Sequence, residues 1–475
     1  MMKRNKEISL IEALIPLVVM ITVMAITIIV FEGDPHVPLI LGTVIAGLVA
    51  WRAGFNWKDI EESMYVGIKL ALPAVIIIML VGMIIGSWIG GGIVATMIYY
   101  GLQIISPSLF LVTICIICAV VSLSIGSSWS TMGTIGVAGM GIGAAMGIPA
   151  AMTAGAVISG AYFGDKMSPL SETTNLASGL TETDLFEHIK HMMYSTVPGL
   201  VIALIAYWFM GRNFGGGNLS ETGVGETAQQ MQESFLISPW LLLVPLLVIV
   251  LVARKVPAIP ALLVGIVLGF LCQVFVQADS FANAVNTLYG GYILETGNAM
   301  VDELFTRGGL ESMMYTVSLT IVAMTFGGVL EHTGMLNAIV TQILKLAKSA
   351  RGLIPTTILS SLFTNITCSE QYISIVVPSR MYSSVYKKKN LQSKNLSRAL
   401  EDGGTLTSVF VPWNTCGVFI FGTLGVHAFQ YAPYAILNFA VPILSIIFAF
   451  LGIGIAYIKN GKKEENAHAD DANLG

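Results

Sequence analysis

Two apolar runs, Leu10 to Phe31 and Ala435 to Ile458, are each long enough to cross a bilayer, and several further stretches approach that length. A spanning helix takes roughly 20 residues for a hydrocarbon core of ~30 Å. Inside lipid every backbone N–H and C=O needs a partner within the protein, so a chain of such runs folds as packed helices. Only 11% of the 475 residues are charged and 55% are hydrophobic, where a soluble chain carries about 25% charged residues. The expected fold class is an all-α polytopic membrane protein, with the lipid bilayer as its surroundings. The net charge of −4 sits in loops and gives no sign of nucleic-acid binding. The basic start at Lys3, Arg4 and Lys6 looks like that of a signal peptide. The run behind it ends at Phe31 without an Ala-x-Ala pattern, so it is expected to remain as the first span.

Spans are expected at about 9–31, 38–52 and 69–89, with an interfacial amphipathic stretch at 56–65. A break at Gly90 to Gly92 and a short helix to Ser106 follow. An apolar stretch from 108 is interrupted at Gly126 to Thr131 and resumes to about 146. The segment 149–183 is broken near Pro169, and a span at 193–210 closes the first half. Residues 211–236 are rich in Gly, Ser, Thr and Gln and read as an exposed linker. The chain then starts again, with spans at 237–253, 258–277 and 311–331, an amphipathic insert at 279–305 and a short helix at 336–348. An apolar stretch interrupted at Asn365 to Gln371 comes next, then a segment at 398–430 interrupted at Pro412 to Gly417, and a last span. Residues 459–475 read as a disordered cytoplasmic tail.

The halves 1–210 and 237–458 share one order of events, with Pro169 and Pro412 at matching places. This is the pattern of two inverted-topology repeats with discontinuous helices, here about ten spans plus two re-entrant hairpins. Basic residues mark the cytoplasmic side. A cytoplasmic N-terminus leaves Arg52 and Lys58, His188 to His191, Arg254 and Lys255, Lys345 to Arg351, and Lys387 to Arg398 on that side with both termini. The first hairpin then opens outward and the second inward. The broken segments have their midpoints beside Asp165 and at Asn414. Each is roughly 50 Å long as a continuous helix, which exceeds the hydrocarbon core and calls for an unwound centre or protruding ends.

Between two apolar runs, the stretch Gly164 to Ala177 carries Asp165, Lys166, Ser168, Pro169, Ser171, Glu172, Thr173, Thr174 and Asn175. Polar groups at membrane depth face a protein interior or a water-filled cavity. A proline frees backbone carbonyls, and the side-chain oxygens beside them suit a hard cation. One carboxylate that holds either a proton or Na⁺ couples the two, because each excludes the other. Asp165 is the first candidate and Glu172 the second. Ser168, Ser171, Thr173, Thr174 and Asn175 supply oxygens, with Na⁺ itself placed at Asp165, Thr174 and Asn175. The tip residues Ser127, Ser128, Ser130 and Thr131 can close the site from the other side. In the second half Asn365, Thr367, Ser369, Glu370, Asn414 and Thr415 mirror them as candidate substrate-binding groups.

Blander readings compete. Asp165 and Lys166 could form a charge pair near a helix end, Glu172 could serve only as a helix N-terminal charge, and the hydroxyls could satisfy a kink. Glu401 and Asp402, near Arg398, read as a cytoplasmic salt-bridged helix start. Glu331 and His332 read as surface residues. His36 and His427 read as loop or packing residues. Cys115-x-x-Cys118 lies in an apolar run without a second pair and reads as small helix residues. The chain shows no nucleophile elbow, P-loop or zinc signature. It is expected to be no enzyme and to need no cofactor, moving Na⁺ and H⁺ on ion gradients. A channel or a membrane sensor is the alternative of another class.

The run Gly164 to Ala177 closely resembles the signature of NhaC-type bacterial Na⁺/H⁺ antiporters, and the Gly126 to Thr134 tip and the Val411 to Thr415 break look like that family too. The resemblance spans nearly the whole chain. It implies Na⁺/H⁺ exchange in the bacterial cytoplasmic membrane, a scaffold domain and a moving transport domain, an elevator-like motion, and a homodimer. Some relatives resemble exchangers of malate with protons against lactate with Na⁺, and others carry amino acids. Small carboxylates therefore stay open as further cargo.

Overall fold

The computed structural model describes residues 8–31, 33–214, 224–254, 256–346 and 349–458. The basic N-terminal start, residues 215–223 of the expected linker and the polar tail lie outside the described residues. Among the described residues the protein is helical, with no strand beyond two isolated bridges. The first half runs through α1 (Leu10–Ile29), α2 (His36–Arg52), α3 (Trp57–Gly90), α4 (Ile93–Ile104), α5 (Phe110–Ile125), α6 (Ser128–Thr131) and α7 (Val137–Ala145). It continues with α8 (Ala150–Met167), α9 (Glu172–Leu180) and α10 (Leu185–Gly211). After α11 (Val224–Ser234) come α12 (Leu243–Ala253), α13 (Ala258–Leu271), α14 (Phe281–Gly290), α15 (Ala299–Phe305), α16 (Met314–His332) and α17 (Met335–Lys345). The chain closes with α18 (Ala350–Cys368), α19 (Gln371–Lys388), α20 (Ser393–Leu400), α21 (Thr415–Leu424), α22 (Ala428–Tyr431) and α23 (Ile436–Leu451).

Both expected hairpin tips and both expected breaks lie between helices: 126–127 between α5 and α6, 168–171 between α8 and α9, 369–370 between α18 and α19, and 411–414 ahead of α21. Three boundaries differ from expectation, each for a local reason. Asn56 and Asp59 form a capping box that starts α3 at Trp57, so the amphipathic stretch and the span behind it are one helix of 34 residues. Asp184 accepts from the N–H groups of Phe186 and Glu187 at 3.0 Å and starts α10 at Leu185. Gly452, at φ +78°, ends α23 at Leu451. The following residues then fold back, with Gln392 N donating to Ala456 O at 3.0 Å and Ile458 N to Asn390 O at 2.8 Å. Within the expected linker, α11 forms and Met231 and Phe235 are buried.

By length and composition six described helical stretches can cross a membrane, or up to eight if two bent pairs each count as one. Those pairs are Ser393–Phe410 with Thr415–Leu424, bent by 47°, and Ala428–Tyr434 with Ile436–Leu451, bent by 62°. The other apolar helices, among them α2 and α4, are shorter. The protein is thus an all-helical polytopic membrane protein. Helices α1, α2, α3, α13 and α16 pack on one another, and α5, α8, α10, α18, α19, α20 and α23 form a second group.

Small residues permit the tightest crossings. A Cβ on Gly160 of α8 would collide with the Cys115 carbonyl of α5, and one on Gly67 of α3 with the Met324 carbonyl of α16. Gly179, by contrast, has open space around it. Gly160→Val and Gly67→Val are each predicted to cost about 1–3 kcal/mol through overpacking and to lower the melting temperature in detergent, while Gly179→Ala leaves it unchanged. Equal melting of all three against the parent protein would contradict these crossings.

Candidate functional site

The site is assembled where the first hairpin tip meets the first broken helix. Asp165 lies two residues before the end of α8 and is 6% exposed. Ser128, at the start of α6, donates its N–H (3.1 Å) and its hydroxyl (2.7 Å) to Asp165 Oδ2. The carboxylate thus meets the donor end of a helix, where free N–H groups favour negative charge. The Ser171 hydroxyl is a further polar neighbour.

The break after α8 is closed by its own side chains. Ser168 Oγ accepts from Leu170 N at 3.2 Å, and Ser171 caps α9, accepting from Thr174 N at 3.4 Å. Ser171 and Thr173 hydroxyls lie 3.1 Å apart. Thr174 Oγ1 donates to Lys166 O at 3.1 Å, and Asn175 Nδ2 donates to Pro169 O and Ser171 O at 2.8 and 2.7 Å. These bonds satisfy carbonyls that the break strips of helical partners. Glu172 accepts the Tyr372 hydroxyl at 2.5 Å, joining α9 to α19.

The second tip has a related build. Ser369 turns it at φ +59°, as Gly126 turns the first at φ +75°. Glu370 caps α19, accepting from Tyr372 N and, at 3.1 Å, from Ile373 N. Ser369 O accepts from Thr415 N at 2.9 Å, while Ser369 Oγ is buried without a partner. Asn414 caps α21 through Cys416 N at 3.0 Å and donates to Asn365 Oδ1 at 3.1 Å. Asn365 in turn donates to Gly404 O at 2.7 Å. Thr367 bonds within its own helix, and Thr415 Oγ1 reaches Asn414 Oδ1 at 3.5 Å.

A cavity of about 1220 Å³ reaches this site. Of the expected residues, Ser127, Ser128, Asp165, Glu172, Thr173, Asn175 and Glu370 line it. Ser130, Thr131, Ser168, Ser171, Thr174, Asn365, Thr367, Ser369, Asn414 and Thr415 are not in its wall; most of them brace the tips and breaks behind it. Trp129 also lines the cavity, stacked on Phe419 with centroids 4.2 Å apart. One helix face in the wall was not anticipated. Tyr372, Val376 and Arg380 recur every fourth residue on α19 and all face the cavity, a helical stripe visible in the spacing alone. Glu331, expected at the surface, also lines it.

The structure corrects two charge assignments. Lys166 does not pair with Asp165: its Nζ lies 2.7 Å from Asp402 Oδ1, with both side chains fully buried. Ser195 Oγ of α10 also donates to Asp402, at 3.1 Å to Oδ2. Glu401 and Asp402 are therefore not a helix start on the cytoplasmic surface: the helix begins at Ser393, and the salt bridge of Asp402 is to Lys166 in the interior. They open a π-helical turn, Glu401–Thr405, that continues α20 into the interior, and Glu401 is buried with neither carboxylate oxygen hydrogen-bonded. The cause is packing, since α20 is enclosed by α10, α18 and α19.

The same chain matches a model of the Na⁺/H⁺ antiporter family over residues 160–453. It is 42% identical over 438 residues to the Na⁺/H⁺ antiporter NhaC of Alkalihalophilus pseudofirmus, covering 92% of this chain and 94% of that one. Identity to the NhaC of Bacillus subtilis is 39% over 419 residues, covering 88% and 92%. Identity to the malate-2H⁺/Na⁺-lactate antiporter of Bacillus subtilis is 39% over 422 residues, covering 89% and 90%. Asp165 and the breaks at 168–171 and 411–414 all fall within the matched region, and this chain belongs to the Na⁺/H⁺ antiporter family.

Proposed function

We propose that the protein is a secondary transporter that exchanges Na⁺ for H⁺ across a bacterial membrane. The observation that carries this is Asp165, a buried carboxylate at the end of a broken helix, met by the opposing hairpin tip through Ser128. A carboxylate removed from water is costly as a bare anion and needs a proton or a cation. A proton and Na⁺ therefore compete for Asp165. Na⁺ arriving there turns the Ser128 hydroxyl from donor to ligand, with Thr174 and Asn175 as neighbouring oxygen donors. Thr173 and Glu172 line the cavity beside Asp165, Glu172 as a second carboxylate, while Ser171 and Ser168 hold the break behind them. Proton release from Asp165 and Na⁺ uptake are then one event.

An elevator-like motion between two inverted repeats is the companion reading. The tightest helix pairings fall within two groups, α1, α2, α3, α13 and α16 in one and α5, α8, α10 and α23 in the other, which meet through α16 with α18 and through α21 with α3. The recurrence of tip, break and final helix in both halves favours the repeats. A homodimer and cytoplasmic termini belong to the same reading. The cavity wall includes the α12–α13 turn at Val256 to Ile259, Leu70 on the early part of α3, and Arg380. The basic flanks of those elements favour a mouth on the cytoplasmic side under the positive-inside rule.

A second reading has its own support. The cavity is far larger than a cation needs, and it presents Arg380, Gln371 and Tyr372, groups that suit a small carboxylate. Exchange of organic acids with Na⁺ and protons, as the name of one relative describes, is the alternative.

Liposomes holding only this protein separate the two. A Na⁺ gradient is applied with a trapped pH dye, without and then with malate and lactate on opposite sides. Proton movement without the acids is predicted, and Asp165→Asn should reduce it to the level of empty liposomes without impairing insertion. Movement only with the acids would transfer the assignment to carboxylate exchange, and normal exchange by Asp165→Asn would sink the coupling role. The Lys166–Asp402 pair yields a separate expectation. Breaking a buried pair from one side costs about 3–5 kcal/mol, while replacing both partners by apolar groups is often near neutral. Lys166→Met or Asp402→Met alone should lower the melting temperature more than the double variant does. A double variant at least as unstable as the worse single one would show that the pair is not a structural brace.

A further inference from the structure

A second cavity, of about 290 Å³, lies between α10, α20 and the chain after α23. Its wall includes Glu187, Lys190, His191, Tyr194, Lys394 and Gly454. We propose that this cavity binds a phosphate group, carried by the headgroup of an anionic phospholipid.

Charge is the first argument. Lys190 and Lys394 line the cavity, and the guanidinium of Arg398 lies just behind its wall, donating Nη1 to Gly454 O at 3.0 Å. The opposing carboxylate in the wall, Glu187, is engaged by Lys394 at 3.0 Å. The cavity is therefore cationic on balance.

Unsatisfied donors are the second. Arg398 is 1% exposed, yet Nε and Nη2 have no hydrogen-bond partner. Arg398 stands behind the wall and not in it, so its positive charge, and no direct bond, reaches the cavity. Asp402, one turn further along the same helical segment, is bonded by Lys166 and Ser195 and makes no hydrogen bond to Arg398. His191, 5% exposed and in the cavity wall, also leaves Nε2 without a partner. A buried cation without a bonded anion is costly, and an anion in the adjoining cavity offsets part of that cost.

The surroundings select a lipid as the carrier. From the cavity, α10 presents Tyr194, Val197, Val201 and Ile205 as one exposed stripe. On the other side α23 exposes Ile443, Ile447 and Phe450. Apolar faces above a cluster of lysine and arginine match acyl chains above an anionic headgroup, and each basic residue near such a surface adds to the attraction.

The test is a native mass-spectrometric titration of the full-length protein in mild detergent. The probes are dioleoyl-phosphatidylglycerol, dioleoyl-phosphatidylcholine and ammonium phosphate. Lys190→Gln with Lys394→Gln is examined in parallel, because both side chains reach solvent and their loss spares the packed interior. The expected result is a preference for phosphatidylglycerol of about tenfold or more that the double variant largely loses. Displacement of that lipid by ammonium phosphate alone would support the same site with a soluble phosphate as its source. Equal binding of the two lipids by the parent protein, or an undiminished preference in the double variant, would overturn the proposal. Neither result bears on Na⁺/H⁺ exchange, which is read separately as flux.

Discussion

A lysine and an aspartate far apart in sequence meet at 2.7 Å in a fully buried contact next to the candidate site. Lys166 is the neighbour of Asp165, and Asp402 lies in the π-helical turn of the second broken segment. Their contact ties the two broken segments together at the depth where each loses regular helix. In a medium of low dielectric such a pair has to be matched in charge and hydrogen-bonded to be tolerable, and Ser195 provides the extra donor. The charge of Lys166 is therefore spent on Asp402. Asp165 is left with hydroxyl and amide donors and no cation of its own, which is the condition a carboxylate needs to accept a transported one.

The same economy of polar groups shapes the breaks. An interrupted helix exposes carbonyls and amides that no water can satisfy at membrane depth. Ser168, Ser171, Thr174 and Asn175 close the first break, and Asn365 and Asn414 close the second. Much of the hydroxyl and amide cluster thus has a structural duty, and Asn175 combines that duty with a place in the cavity wall. The two duties are compatible, since a hydroxyl that donates to a carbonyl keeps lone pairs for a cation.

The breaks and tips were legible because polar residues stand out sharply within apolar runs, and Gly126 to Thr131, Ser168 to Asn175 and Asn365 to Gln371 each did so. Family membership was legible in the Gly164 to Ala177 run. Partnerships were not. Lys166 sits beside Asp165 in the sequence, and nothing local points to Asp402 across 236 positions. Glu401 and Asp402, with Arg398 one turn before them, look like any charged helix start until α10, α18 and α19 enclose them. Arg380 was hidden for the opposite reason: it lies in a helix read as an ordinary hairpin limb, and its place in the cavity follows from sharing a face with Tyr372 and Val376. Helix limits such as Trp57 and Leu185 depended on caps at Asn56 and Asp184 that hydropathy does not register.

The central claim is that one carboxylate holds either a proton or Na⁺. The most direct measurement is proton release on Na⁺ addition to the purified protein in weakly buffered detergent solution, followed with a pH dye, with Na⁺ binding measured by calorimetry on the same sample. Competition at Asp165 predicts that Na⁺ binding expels a proton, that apparent Na⁺ affinity weakens as pH falls, and that Asp165→Asn loses the release. Na⁺ binding without proton release, or release undiminished in Asp165→Asn, would contradict the account.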